Sequence, residues 1–184
     1  MILSEHKDLK YAITALPVKE KDKLLLRLIA KDKILTEHLH FKLLEDEADL
    51  LERRSALFEE IEDKVQGLAN NAKDTLTVFR VLNGKVSHHY KVTKDVNSEL
   101  ELRIHLLKQI PVDTWDGHYM AFSKFDERLV IYFVRTTLSA YKKYLKLHED
   151  LQFDLQADFN VLLSKAYSPK LAYTAEAMGL PQHV

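Results

Sequence analysis

The chain has 184 residues, of which 46% are hydrophobic and 30% charged, and its net charge is −1. These proportions exclude a disordered chain, and the near-zero charge leaves no global field to draw it to nucleic acid or membrane. With no cysteine, disulfides, thiolate catalysis and thiolate-bound zinc are excluded.

The length suits one domain, residues 1–184, with a core of its own. Only four glycines and four prolines occur, and their scarcity favours long helices. The N-terminus lacks a basic head followed by an apolar stretch, so it does not read as a signal peptide. The longest apolar run, Leu129 to Val134, is far below the ~18 residues that span a bilayer. A cytoplasmic protein is expected.

In chain order, Ser4 is placed to cap a first helix to about Ala15, which Pro17 ends. Lys19–Ala30 follows, with Leu24, Leu25, Leu26, Leu28 and Ile29 around most of its circumference, the pattern of a helix buried on several sides. Asp32 caps Lys33 to about Glu45, whose apolar face is Ile34, Leu35, Leu39 and Leu43. Glu47–Gln66 is a longer amphipathic helix, stopped near Gly67, Asn70 and Asn71.

Residues 72–92 carry two patterns. Strand-like runs flank Asn83–Gly84, a hairpin signal. Leu76, Val78, Phe79, Leu82, Val86 and Tyr90 also fall within about 160° of one helical wheel. Helical neighbours, and the marginal stability of a lone hairpin, favour the helix.

Ser98 with Glu101 has capping-box spacing for a helix to Gln109, before Pro111. Ser123 with Asp126 suggests a further cap, and a helical period runs from Phe125 to Leu147. The last long helix is about Glu149–Ala166. Ser168–Pro169 then resembles a cap followed by proline at the first helical position, with Gly179 and Pro181 as the stop. The expected class is all-α: about nine helices stacked as antiparallel hairpins, in an irregular α-α superhelix or a compact helical bundle.

Charge is segregated. Glu37 to Asp63 holds ten acids against Lys42, Arg53 and Arg54, whereas Lys64 to Lys94 holds six bases and the single acid Asp74. Packing side by side is the simplest explanation. If residues 72–92 are helical, Lys73, Arg80, Ser87, Lys91 and Lys94 lie within about 60° of one line. Such a stripe suits phosphates, although no aromatics interleave it for base stacking.

Two other clusters bear on chemistry. Asp113, Trp115, Asp116, His118 and Tyr119 fall in the longest irregular stretch, where ligand-binding residues often sit. Glu101 and His105 are four apart and able to pair on one helix face. His38 lies near an apolar face and reads as a hydrogen-bonded core residue. Tyr141 and Tyr144 continue an apolar stripe with Lys142, Lys143 and Lys146 facing out. No serine nucleophile, phosphate-binding glycine loop or metal-ligand spacing accompanies any of these, so no cofactor or metal is expected. The expected function is a non-enzymatic module that binds another protein or itself. The alternatives are nucleic-acid binding through Lys73, Arg80, Lys91 and Lys94, or a ligand-binding protein or enzyme using the Trp115–Tyr119 loop. No membrane association is expected.

Overall fold

A computed structural model describes residues 5–68, 71–112 and 124–184. Among the described residues there are nine helices and no strand, so the chain is all-α. None of these helices is long and apolar enough to cross a membrane. Contacts group the chain into two units, Met1–Glu45 and Asp46–Val184.

The first unit holds α1 (Lys7–Ala15), α2 (Val18–Ile29) and α3 (Lys33–Leu44). Pro17 ends α1 and stands at the N-cap of α2. Asp32 caps α3, its carboxylate accepting from the Leu35 amide at 3.0 Å. The Thr36 hydroxyl donates back to the Ile29 carbonyl at 2.9 Å, tying α3 to the end of α2. No described side chain of these three helices is buried. This corrects the expectation for α2: Leu25, Leu26 and Leu28 are 56%, 65% and 54% exposed. Apolar residues around the whole wheel identify a helix that needs cover, not the cover itself. His38 likewise sits half-buried on α3 rather than in a core.

The second unit holds α4 (Glu47–Gln66), α5 (Ala72–Thr93), α6 (Val96–Gln109), α7 (Lys124–Tyr144), α8 (Glu149–Ala166) and the short α9 (Ala172–Ala177). A capping box starts α4: Asp46 accepts from the Asp49 amide, and Asp49 accepts from the Asp46 amide at 2.9 Å. Asn71 caps α5 through the Asp74 amide at 2.8 Å. The helix runs unbroken through Asn83–Gly84, which settles the hairpin alternative. Leu76, Phe79, Leu82 and Val86 all bury on one face, and that burial outweighs the ~1 kcal/mol cost of an internal glycine.

Two starts differ from the sequence pattern. Asp95, not Ser98, caps α6, accepting from the Ser98 amide at 2.6 Å; the Ser98 hydroxyl instead pairs with His89 Nε2 at 2.8 Å. Ser168–Pro169 lies in a turn before α9, whose N-cap is Leu171. The Gly179 stop holds: its φ of +69° suits glycine, and the Leu180 amide closes on the Ala175 carbonyl at 3.0 Å.

Within this unit α6 is the hub, contacted by α4, α5, α7 and α8. Consecutive helices run antiparallel: Asn83 and His89 on α5 meet Arg103 and Ser98 on α6, and Tyr141 and Tyr144 on α7 meet Phe159 and Gln152 on α8. The unit is therefore a compact bundle around a central helix, not a row in which each helix meets only its neighbours. Phe79, Phe133 and Phe159 are its largest fully buried side chains. Lys165 of α8 donates to the carbonyls of Leu107, Lys108 and Ile110 at 3.1, 2.6 and 2.6 Å. It thereby satisfies the exposed acceptors at the C-terminus of α6, where a cation is also favoured by the helix dipole.

Candidate functional site

Three helices of the bundle carry a buried polar network at their centre. Glu99 and Arg103 on α6 have side chains 1% and 7% exposed. The Glu99 carboxylate accepts from Arg103 at 2.5 Å and from Lys143 of α7 at 2.6 Å. Arg103 also donates to the Asn83 side chain and, at 3.2 Å, to the Ser87 hydroxyl, both on α5. The Asn83 amide donates to the Tyr132 hydroxyl of α7 at 2.8 Å. Burying ions costs several kcal/mol each, so this network persists only because each charge has partners. Lys143 therefore turns inward, 4.6 Å from the Tyr90 ring centroid, and does not face out with Lys142 and Lys146.

The basic stripe on α5 exists as a surface. Lys73, Arg80, Lys91 and Lys94 are all exposed. The acidic α4 does not cover it. Its Glu60 pairs with Lys85, its Arg54 with Glu101 at 2.6 Å, and its Glu62 approaches His105. Arg80 lies 5.5 Å from the centroid of the Tyr132 ring. Ser87 is committed to Arg103, and Lys94 leaves the helical line because it adopts a left-handed φ of 60° at the C-cap.

An open groove of 510 Å³ runs between α4 and α5, with Ala56, Leu57, Val81 and Gly84 below and Arg53, Lys85 and His88 at the rim. His89 also borders it. Burial holds the His89 imidazole below the ordinary histidine value, against the opposing pull of Asp95.

A second cleft of 320 Å³ lies among α4, α6 and α8, lined by Phe58, Glu101, His105, Lys108, Asp154 and Asp158. Glu101 and His105 do not pair there. Glu101 is taken by Arg54 and, at 3.0 Å, by Asn97. His105 packs edge-on to Phe58 at 4.8 Å. The Glu62 carboxylate stands 3.4 Å from its Nε2, within ion-pair range but not aligned as a hydrogen bond, and that nitrogen is buried without a hydrogen-bond partner among the described residues. Burial lowers the His105 pKa from the ordinary histidine value despite Glu62. Lys108 and Asp158 pair at 2.5 Å. Among the described residues, no three His, Asp or Glu side chains converge in a way that would hold a metal ion.

Asp113, Trp115, Asp116, His118 and Tyr119, the candidate ligand loop, lie outside the described residues. Sequence reasoning passed over Glu99 and Arg103 and turned Lys143 outward. The signal was present: on the α6 wheel Arg103 falls within about 30° of the centre of its leucine and isoleucine positions, where only a paired charge can reside. No known protein family matches the chain, and neither does any curated protein or solved structure.

Proposed function

We propose that the protein is a non-enzymatic helical interaction module that engages another protein chain, a second copy included, through α1–α3. One observation carries this reading. No described side chain of the unit is buried, while Tyr11, Leu25, Leu26, Leu28, Leu43 and Leu44 are 77%, 56%, 65%, 54%, 70% and 74% exposed. Helices of nine to twelve residues are marginal in water on propensity alone and need an apolar face covered. Large exposed apolar patches on soluble proteins mark interaction surfaces.

The test is Leu25→Glu with Leu26→Glu in the full chain. Glutamate keeps helix propensity and removes the apolar contact. Wild type is expected to self-associate in sedimentation over a concentration series, or to capture a partner that the variant loses. The melting of α4–α9 should be unchanged. A wild type that is monomeric throughout, and captures the same proteins as the variant, overturns the proposal.

A further inference from the structure

The stripe on α5 has a counterpart on α7. At 100° per residue, Lys73, Arg80 and Lys91 lie within about 20° of one line, and Lys124, Arg128, Arg135 and Lys142 within about 40° of another. All seven are exposed. The two helices run parallel and in contact: Phe79 meets Tyr132 at 4.8 Å, and Tyr90 meets Lys143 further along both. Arg80 sits over Tyr132, whose neighbours on the α7 surface, four residues before and three after, are Arg128 and Arg135. The rows therefore adjoin.

Among the described residues of α5 and α7, no acid lies within these rows. Asp74, the one acid of α5, is bound by the Asn71 side chain at 2.6 Å. On α7, Asp126 pairs with Lys170 at 3.5 Å, and Glu127 lies about 60° outside the row. A chain of net charge −1 thus concentrates seven cations on two helices.

We propose that α5 and α7 together bind the phosphate backbone of duplex DNA. Each row is about 27 Å long, enough to reach about four successive phosphates of one strand, which lie roughly twice as far apart along the backbone as their ~3.4 Å rise along the axis. Packed helices stand about 8–10 Å apart, so two rows can seat on the two strands that border the ~6 Å minor groove of B-form DNA. The minor groove of A-form RNA is wide and shallow and does not match this spacing. Single strands are bound by stacking on exposed aromatics; Tyr132 is half-buried beneath Arg80. An anionic membrane needs exposed apolar residues among the cations for insertion; between them α5 places Thr77, Gly84 and Ser87, and the apolar residues beside the α7 row, Ile131 and Leu138, are half-buried. The spacing is set in advance, because Arg103 and Glu99 bind α5 and α7 to the same point of α6, so little ordering is needed on binding.

Fluorescence anisotropy of the full chain with a labelled duplex of about 16 base pairs tests this. Four seated phosphates give a slope of log K against log salt of about −3.6, or a ~150-fold loss between about 50 and about 200 mM salt. Arg128→Ala with Arg135→Ala should bring the slope to about −1.8 with the thermal melt unchanged, since both side chains are exposed. Arg80→Ala with Lys91→Ala should do the same from the other row. Absence of binding at about 50 mM salt, or an unchanged slope in both variants, overturns the proposal. So does equal or tighter binding of a single strand of that length, a duplex RNA, polyglutamate or phosphatidylserine vesicles.

Discussion

Removing Glu99 isolates Arg103, the one buried Lys or Arg among the described residues. In Glu99→Leu, Arg103 keeps Asn83 and Ser87 but loses its only carboxylate, with its side chain 7% exposed. An uncompensated buried charge costs about 3–5 kcal/mol. For a chain of this length that lowers Tm by roughly 10 °C. The double variant Glu99→Leu, Arg103→Met removes both charges and fills the space with apolar side chains, which is often near neutral. The residual cost is about 1 kcal/mol for the polar partners left at Asn83 and Ser87. Lys143, 33% exposed, can turn to water, so Lys143→Met alone should cost no more than about 1 kcal/mol. Urea unfolding followed by far-UV circular dichroism measures the wild type, these three variants and Arg103→Met alone. A Glu99→Leu cost below about 1 kcal/mol, or a double variant as unstable as the two singles summed, would refute the assignment of this network.

Gly84 is exposed in the interior of α5, and a Cβ there meets nothing within 4 Å. Gly84→Ala should therefore stabilise by about 0.5–1 kcal/mol, read as a higher urea midpoint at unchanged slope. Lys165→Ala removes the ammonium shared by three carbonyls at the end of α6, of which that of Ile110 keeps the Val112 amide; it should cost about 2 kcal/mol and speed hydrogen exchange in the last turn of α6. Burial holds His89 and His105 below the ordinary value of 6.5. The unfolded chain thus takes up protons first as the pH falls, so their contribution is intact above that value and lost as the pH drops through it. Unfolding midpoints should fall from about pH 7 to about pH 5, with a shallower fall in His89→Gln.

The helical period made α4 and α8 legible to the residue, because apolar and polar positions alternate at one spacing from cap to stop. Starts were legible where the capping residue has a single candidate, as at Asp32. At α6 both Asp95 and Ser98 have capping chemistry, and the choice turned on a long-range partner, His89, that local spacing does not contain. At α9 a turn of the chain takes the place of the first helical residues. The basic face was half legible: the α5 row follows from one helix, but its partner row on α7 depends on which helices α6 brings together. Glu99 and Arg103 form an i, i+4 pair of a kind common on solvated helices, and only the place of Arg103 among the leucines of the α6 wheel sets it apart.

The central position of α6 has a consequence for how this unit is made and how it fails. A linear array of helices can be shortened from either end and lose only the part removed. Here the side chains of α6 are covered by α4 and α5, which precede it in the chain, and by α7 and α8, which follow it. During synthesis α6 emerges with its leucines, and the charged pair among them, uncovered on one flank until α8 is complete. Truncation within α8 should accordingly unfold the unit as a whole. Its stability is a property of α6 together with the four helices that cover it and is not divisible among them.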